Sequence, residues 1–301
     1  MKYGKRIVPL LLALAMLAGC APAAGKDGGD EVVYVDRVVM EEVRLEDEAV
    51  ALAAAPAPLN DLLLPEASGV DVKKNDKAQI DYSNVKDGYV MVNFTGTTTK
   101  RLKVQVKGPT TTYTYDLPAG AWTTFPLSDG NGDYKVTVFE NTTGSKYATV
   151  LSQSVKVTLT DEFAPFLRPN QYVDYGIAAE TIKKAEAEAG KETDTFKKVE
   201  KIYNFVVKNL TYDKEKAATV KSGYLPVLDT VLSTKKGICF DYAALMAGML
   251  RSQGVPCKLV VGYAGKAYHA WVSVWTEESG WVDGAIFFDG STWQRMDPTF
   301  A

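Results

Sequence analysis

The chain has a single histidine and three cysteines in 301 residues. No Cys-x-x-Cys pair and no Cys/His cluster occurs, so a zinc site built from those ligands is not expected. No long basic stripe appears and the formal net charge is −3, so no nucleic-acid partner is expected. The apolar run at residues 7–17 is too short for a comfortable transmembrane span. What is present is the balance of a soluble globular protein, 46% hydrophobic and 24% charged, with length for about two domains.

The first residues have a different layout. Lys2, Lys5 and Arg6 precede the apolar run, and small residues close it before Cys20, which is the pattern of a secretory signal. "LAGC" resembles a bacterial lipobox. The resemblance implies cleavage of a 1–19 signal peptide and diacylglycerol on Cys20; the alternative is an ordinary signal with a chance cysteine. Loss of residues 1–19 removes three positive charges and no acid, so the net charge goes from −3 to −6. A negative body suits an extracytoplasmic protein held at the membrane by lipid rather than by charge. Residues 20–68 begin with "APAAGKDGGD" and read as a flexible tether or linker, within which "EVVYVDRVV" could form a strand.

From 69 to 162 the pattern is short alternating runs: "AQIDYS", "GYVMVNF", "KRLKVQVKG", "TTYTYDL", "AWTTFPL", "DYKVTVFE" and "LSQSVKVTL". Turn clusters such as "SDGNGD" and "NTTGS" separate them. About seven strands at this pitch predict an all-β, immunoglobulin-like sandwich. Asp129, Asn131, Asp133 and Glu140 fall at calcium-loop spacing, but Tyr134 stands where that loop needs glycine, so a hairpin is the better reading.

Two prolines in "DEFAPFLRPNQYVDYG" break the strand rhythm, and a second domain is placed at 163–301. "TFKKVEKIYNFVVKNL" puts Phe196, Val199, Tyr203, Val206 and Leu210 on one helical face, with its lysines largely elsewhere. A loop rich in small and polar residues is expected next. Then "CFDYAALMAGMLRSQGVP" is apolar or small on almost every side, which predicts a buried helix ending at Gly254 and Pro256. Cys239 opens that helix, and Gly237 before it would let the backbone turn sharply. The partial positive charge of a helix start favours a thiolate, and its N–H groups could hold an oxyanion. A buried structural cysteine is the competing reading.

His269 stands at the head of the alternating run "YHAWVSVW", where a strand end can hold a base rigidly. Asp297 precedes Pro298, which biases it to an extended conformation. Nucleophile, base and orienting carboxylate in the order Cys239, His269, Asp297 follow the triad logic. Cys257 reads as packing. About 1.5 Å of rise per residue puts it about 20 Å from Cys239, beyond disulfide reach. Asp241 reads as a dipole partner in the first turn with no assigned chemistry. Trp271, Trp275, Trp281 and Trp293 read as core and cleft walls.

The ordered set "GICFDYA…GVPCKLVVGY…YHAWVSVW…MDPTF" resembles the bacterial transglutaminase-like superfamily, a branch of the papain-like cysteine fold. The likeness covers roughly residues 165–301. It implies an α+β fold, with this catalytic domain preceded by the all-β sandwich. It also implies that Cys239, His269 and Asp297 are nucleophile, base and acidic partner. "NLTYD" looks like the family's segment before the active helix. Tyr212 could lend a donor to the oxyanion hole, a core or rim tyrosine being the plainer reading. The expected activity is acyl transfer at peptide or protein carboxamides through a thioester, as a peptidase, amidase or transglutaminase, with no cofactor. The expected partners are peptide or protein substrates, including cell-wall peptides, and the membrane through Cys20. A non-catalytic cell-surface binding protein that retains the fold is the alternative.

Overall fold

The computed structural model describes residues 62–264, 267–288 and 293–294. The expected signal peptide, Cys20, the tether strand and Asp297 lie outside the described residues. Each of the seven alternating runs forms a strand. They are β2 (Ala78–Asp81), β3 (Tyr89–Phe94), β4 (Leu102–Lys107), β5 (Thr112–Asp116), β6 (Thr123–Pro126), β7 (Gly132–Thr143) and β8 (Lys146–Val157). A short β1 (Val72–Lys74), which the sequence pattern does not show, pairs with β2. Two four-stranded antiparallel sheets result, in the orders β1-β2-β3-β6 and β5-β4-β7-β8. The alternation does this directly: Leu102, Val104 and Val106 of β4 point inward while Lys103, Gln105 and Lys107 do not. Ile80, Val92 and Phe125 from one sheet meet Val104, Tyr115 and Val136 from the other in one core.

Three of the four residues at calcium-loop spacing, Asp129, Asn131 and Glu140, make contacts within this fold. Asp129 accepts from the backbone N–H groups of Thr110 (2.7 Å) and Thr111 (2.8 Å) and from the Thr110 hydroxyl. Asn131 accepts from Leu159 N, and Glu140 pairs with Lys77 at 3.0 Å.

The C-terminal part opens with α1 (Ala164–Leu167), α2 (Ala179–Ala189) and α3 (Thr195–Asn209). Asp194 starts α3 by accepting from Lys197 N at 2.9 Å. Val199, Ile202, Tyr203 and Val206 form the buried face of α3. Lys198 departs from the expected polar face. It is buried, and its Nζ donates to the Gln253 carbonyl at 2.9 Å. A cation there suits the negative end of the next long helix.

The expected loop after α3 is instead a series of short elements: β9 (Thr211–Tyr212), α4 (Lys214–Thr219), α5 (Leu228–Thr234) and β10 (Lys236–Gly237). Asp213 caps α4 by accepting from Lys216 N, and α5 buries Leu228 and Val231. Next comes α6 (Cys239–Ser252), in which every residue except Phe240 is buried. It packs among α2, α3, α5 and the following sheet. Leu245, Met249 and Leu250 are fully enclosed, each worth roughly 1.5–3 kcal/mol of apolar burial. Gly254, at φ +75°, ends the helix as the sequence predicts. The sheet runs β11 (Cys257–Ala264), β12 (Ala267–Thr276), β13 (Gly280–Phe288) and β14 (Trp293–Gln294), all antiparallel neighbours.

Candidate active site

Cys239 is the first residue of α6 and is 7% exposed. His269 lies near the start of β12, is also 7% exposed, and is the register partner of Gly262 on β11. The connection between α6 and β11 fixes how these positions relate. Only four residues, 253–256, separate the two elements, and Arg251 Nε donates to the Cys257 carbonyl at 2.9 Å. Cys257 is the register partner of Val274. The C-terminal end of α6 therefore sits at the Cys257–Val274 end of the sheet, and α6 runs back in the direction from Val274 towards His269. From Arg251 to Cys239 the helix spans about 18 Å at 1.5 Å per residue. From Val274 to His269 the strand spans about 16 Å at 3.3 Å per residue. The two spans are similar, which is compatible with Cys239 and His269 both lying towards the end of the sheet away from the Cys257–Val274 pair. Midway along, Ala243 and Met246 of α6 share an apolar crevice with Trp271 and Val272 of β12.

Burial holds the His269 imidazole below its ordinary pKa. At neutral pH that favours the uncharged ring, the form that can accept a thiol proton. A Cβ on Gly262 would lie 3.2 Å from Trp271 Cη2, so glycine lets the indole edge lie close over β11. Tyr212 is brought near the helix start by β9. Its strand pairs in parallel with β10, Tyr212 opposite Gly237, and Asp213 N donates to the Gly237 carbonyl at 2.9 Å. The half-buried Tyr212 ring packs against the main core of this part. Trp275 and Trp281 stack with Phe163 and Phe166 around α1, which makes them packing residues there.

Two residues have roles the sequence did not reveal. Gly237 is an extended strand residue, not a sharp turn. A Cβ on it would sit 2.5 Å from Asp241 Cβ and 3.0 Å from Asp241 Oδ2, so its missing side chain makes room for that carboxylate. Asp241 itself is 0% exposed. Its Oδ2 accepts from Ile238 N at 2.8 Å and from Lys216 Nζ at 2.7 Å, and its Oδ1 accepts from the Tyr224 hydroxyl. Burial first, then the hydrogen bond and charge of Asp241, push the Tyr224 hydroxyl pKa well up. Asp241 is thus an N3 carboxylate that ties down the N-cap N–H and the preceding segment together.

Cys257 is the opposite case. It is fully buried, 0% exposed, and burial pushes its thiol pKa up to about 12. It is an inert packing residue at the far end of α6. Among the described residues no group of three or more His, Cys, Asp or Glu could hold a metal ion.

Comparison with known proteins gives a family for this part of the chain. Residues 183–298 match the family model of the transglutaminase-like superfamily. A protein-glutamine gamma-glutamyltransferase of Pseudomonas aeruginosa is 35% identical over 68 residues, 18% of this chain and 10% of that protein. YebA of Bacillus subtilis, an uncharacterized protein, is 29% identical over 106 residues, 29% of this chain and 14% of that protein. The matches thus span about a seventh or less of these relatives' length. Among solved structures, the periplasmic domain of TgpA from Pseudomonas aeruginosa bound to ethylmercury covers 70% of this chain and 95% of its own, at 15% identity and a TM-score of 0.34. Residues 183–298, which carry α3, the Cys239 helix and the His269 strand, are a domain of the transglutaminase-like superfamily.

Proposed function

We propose that this chain is a lipid-anchored, extracytoplasmic cysteine enzyme that transfers acyl groups from peptide or protein carboxamides. What supports the reading is that Cys239 opens α6, whose Ala243 and Met246 share a crevice with Trp271 and Val272 of the His269 strand, inside a domain matched by the family model. In the proposed reaction, His269 takes the Cys239 proton and Sγ attacks the carbonyl carbon. N–H groups at the start of α6 stabilise the oxyanion, with Tyr212 a further donor. The C–N bond breaks, the imidazolium protonates the leaving amine or ammonia, and a thioester remains. Water then releases an acid, or an amine takes the acyl group. Asp297 is assigned as the carboxylate that orients His269.

Hydrolysis, as a peptidase or amidase, is the favoured outcome, because amine transfer needs an acceptor groove that no described residue identifies. The name of the Pseudomonas relative supports a glutamine carboxamide as one donor to test. The signal-like start and Cys20 support the anchor and the location. The order β1-β2-β3-β6 over β5-β4-β7-β8 supports grouping the N-terminal unit, 69–162, with immunoglobulin-like sandwiches.

The test is a screen of labelled amines and glutamine-containing or cell-wall peptides, run with wild type beside Cys239→Ala. Label incorporated by wild type alone indicates transfer, and peptide cleaved without incorporation indicates hydrolysis. Equal turnover by Cys239→Ala contradicts the assignment. No turnover by either, with slow alkylation of Cys239, points to the binding-protein alternative.

A further inference from the structure

Two sets of contacts converge on the first turn of α6, and neither belongs to the proposed sulfur–imidazole–carboxylate set. One is the hold on Asp241 by Ile238 N, Lys216 and Tyr224. The other is aromatic. Phe240, next to Cys239, meets Tyr172 edge-on at 5.5 Å and Tyr224 edge-on at 6.4 Å, and Tyr172 meets Tyr115 of β5 at 5.4 Å.

The segment that carries Tyr224 is itself tied to the N-terminal unit. Arg101 makes a two-point pair with Asp116, at 2.7 Å for both bonds, and its Nη2 also donates to Ser222 Oγ at 3.2 Å. Gly223 has φ +88°, and a Cβ there would lie 3.0 Å from Asp116 Oδ2. Gln171 Nε2 donates to the Asp116 carbonyl at 2.6 Å. The β4–β5 edge thus seats the segment that grips the helix start.

We propose that Asp241 is the positioning residue of this site. Its carboxylate, gripped by Lys216 and Tyr224, fixes the first turn of α6 and with it Cys239, and the Arg101–Asp116 pair completes the grip through Ser222. The inference rests on the reading of Cys239 as nucleophile. It makes the N-terminal unit a buttress of the reactive helix.

The charges explain why a pair is used and not a lone carboxylate. An uncancelled negative charge two residues from the thiol would oppose the thiolate. Lys216 cancels it while leaving the hydrogen bond to Ile238 N in place. The ionisable side chains in contact with Asp241 are Lys216 and Tyr224; Asp213 caps α4, Tyr212 is the register partner of Gly237, Lys236 precedes Gly237 on β10 and Tyr242 follows Asp241 on α6.

The test is the pH dependence of Cys239 alkylation by iodoacetamide, followed by peptide mass in the full chain, alongside substrate turnover. Lys216→Met leaves the carboxylate uncancelled and should move the inflection up. Asp241→Asn leaves the ammonium uncancelled and should move it down. Each shift should be on the order of one pH unit, the size that Coulomb's law gives for a unit charge roughly 10 Å from a thiol at an effective dielectric of about 20. The double variant should return most of the way to wild type. A residue acting only on fold stability would move both single variants alike or neither, and that result overturns the proposal. Arg101→Leu should slow alkylation about threefold or more with the inflection in place, and Arg101→Lys should recover part of the rate. An unchanged rate in Arg101→Leu overturns the buttress role. If the charge variants do not fold, Tyr224→Phe reads the same grip: slower alkylation at every pH supports it, and a wild-type rate overturns it. Failure of the nucleophile reading shows separately, as undiminished turnover in Cys239→Ala.

Discussion

Gly237→Ala tests the packing of the helix start with one methyl group. The new Cβ would lie 2.5 Å from Asp241 Cβ and 3.1 Å from Asp241 Cγ, well inside ordinary carbon–carbon contact. Neither partner has an easy escape. Gly237 is fixed by its pairing with Tyr212 and by the Asp213 N–H on its carbonyl, and Asp241 is fully buried. Overpacking of this kind costs about 1–3 kcal/mol. If the carboxylate is displaced from Ile238 N, loss of that charged hydrogen bond adds about 1.5–3 kcal/mol. The expected total, about 2.5–6 kcal/mol, lowers the melting temperature of the C-terminal part by roughly 8–20 °C. Tryptophan fluorescence reads this directly, since Trp271, Trp275 and Trp281 all lie on its sheet. Cys239 alkylation should slow in the same variant at temperatures where it is folded. A melting temperature within 1 °C of wild type would refute the reasoning, because it would mean the carboxylate is not confined.

Three further outcomes are expected. Cys257→Ser should lower stability by about 1–3 kcal/mol, through an added hydroxyl in an apolar core, and leave turnover per folded molecule unchanged; urea unfolding and active-site titration check it. Lys198→Met should destabilise α6 by about 1–3 kcal/mol, because the buried Gln253 carbonyl loses its donor, again measured by urea unfolding. The pH dependence follows from His269. Burial lowers its folded-state pKa, so the unfolded chain binds the proton first as pH falls. Stability is therefore whole above the ordinary histidine value of about 6.5 and declines as pH drops below it. His269→Gln should flatten that decline in unfolding experiments between pH 7 and pH 5, and an equal decline in both proteins would contradict it.

The features visible in the sequence are those set by local periodicity. Alternation marks β2 to β8, and the nearly all-apolar helix surface marks α6 as buried, because both patterns record which faces meet a core. β1 was missed because only three residues form it and they are mostly exposed. The short α4 and α5 were missed because helices of six and seven residues are set by caps and tertiary packing rather than by a long amphipathic pattern. Lys198 reads as a surface lysine until the end of α6 is brought to it. Asp241 was the largest loss. An acid in a first turn reads as a dipole partner, and its true partners, Lys216 and Tyr224, stand 25 and 17 residues away. Only the fold brings them together.

The central claim is that His269 activates Cys239. Its most direct test is the rate of Cys239 alkylation against pH in wild type and in His269→Ala. The account predicts a wild-type inflection well below the free-thiol value of about 8.5, moved up towards it when the imidazole is removed. Identical profiles in the two proteins would contradict it.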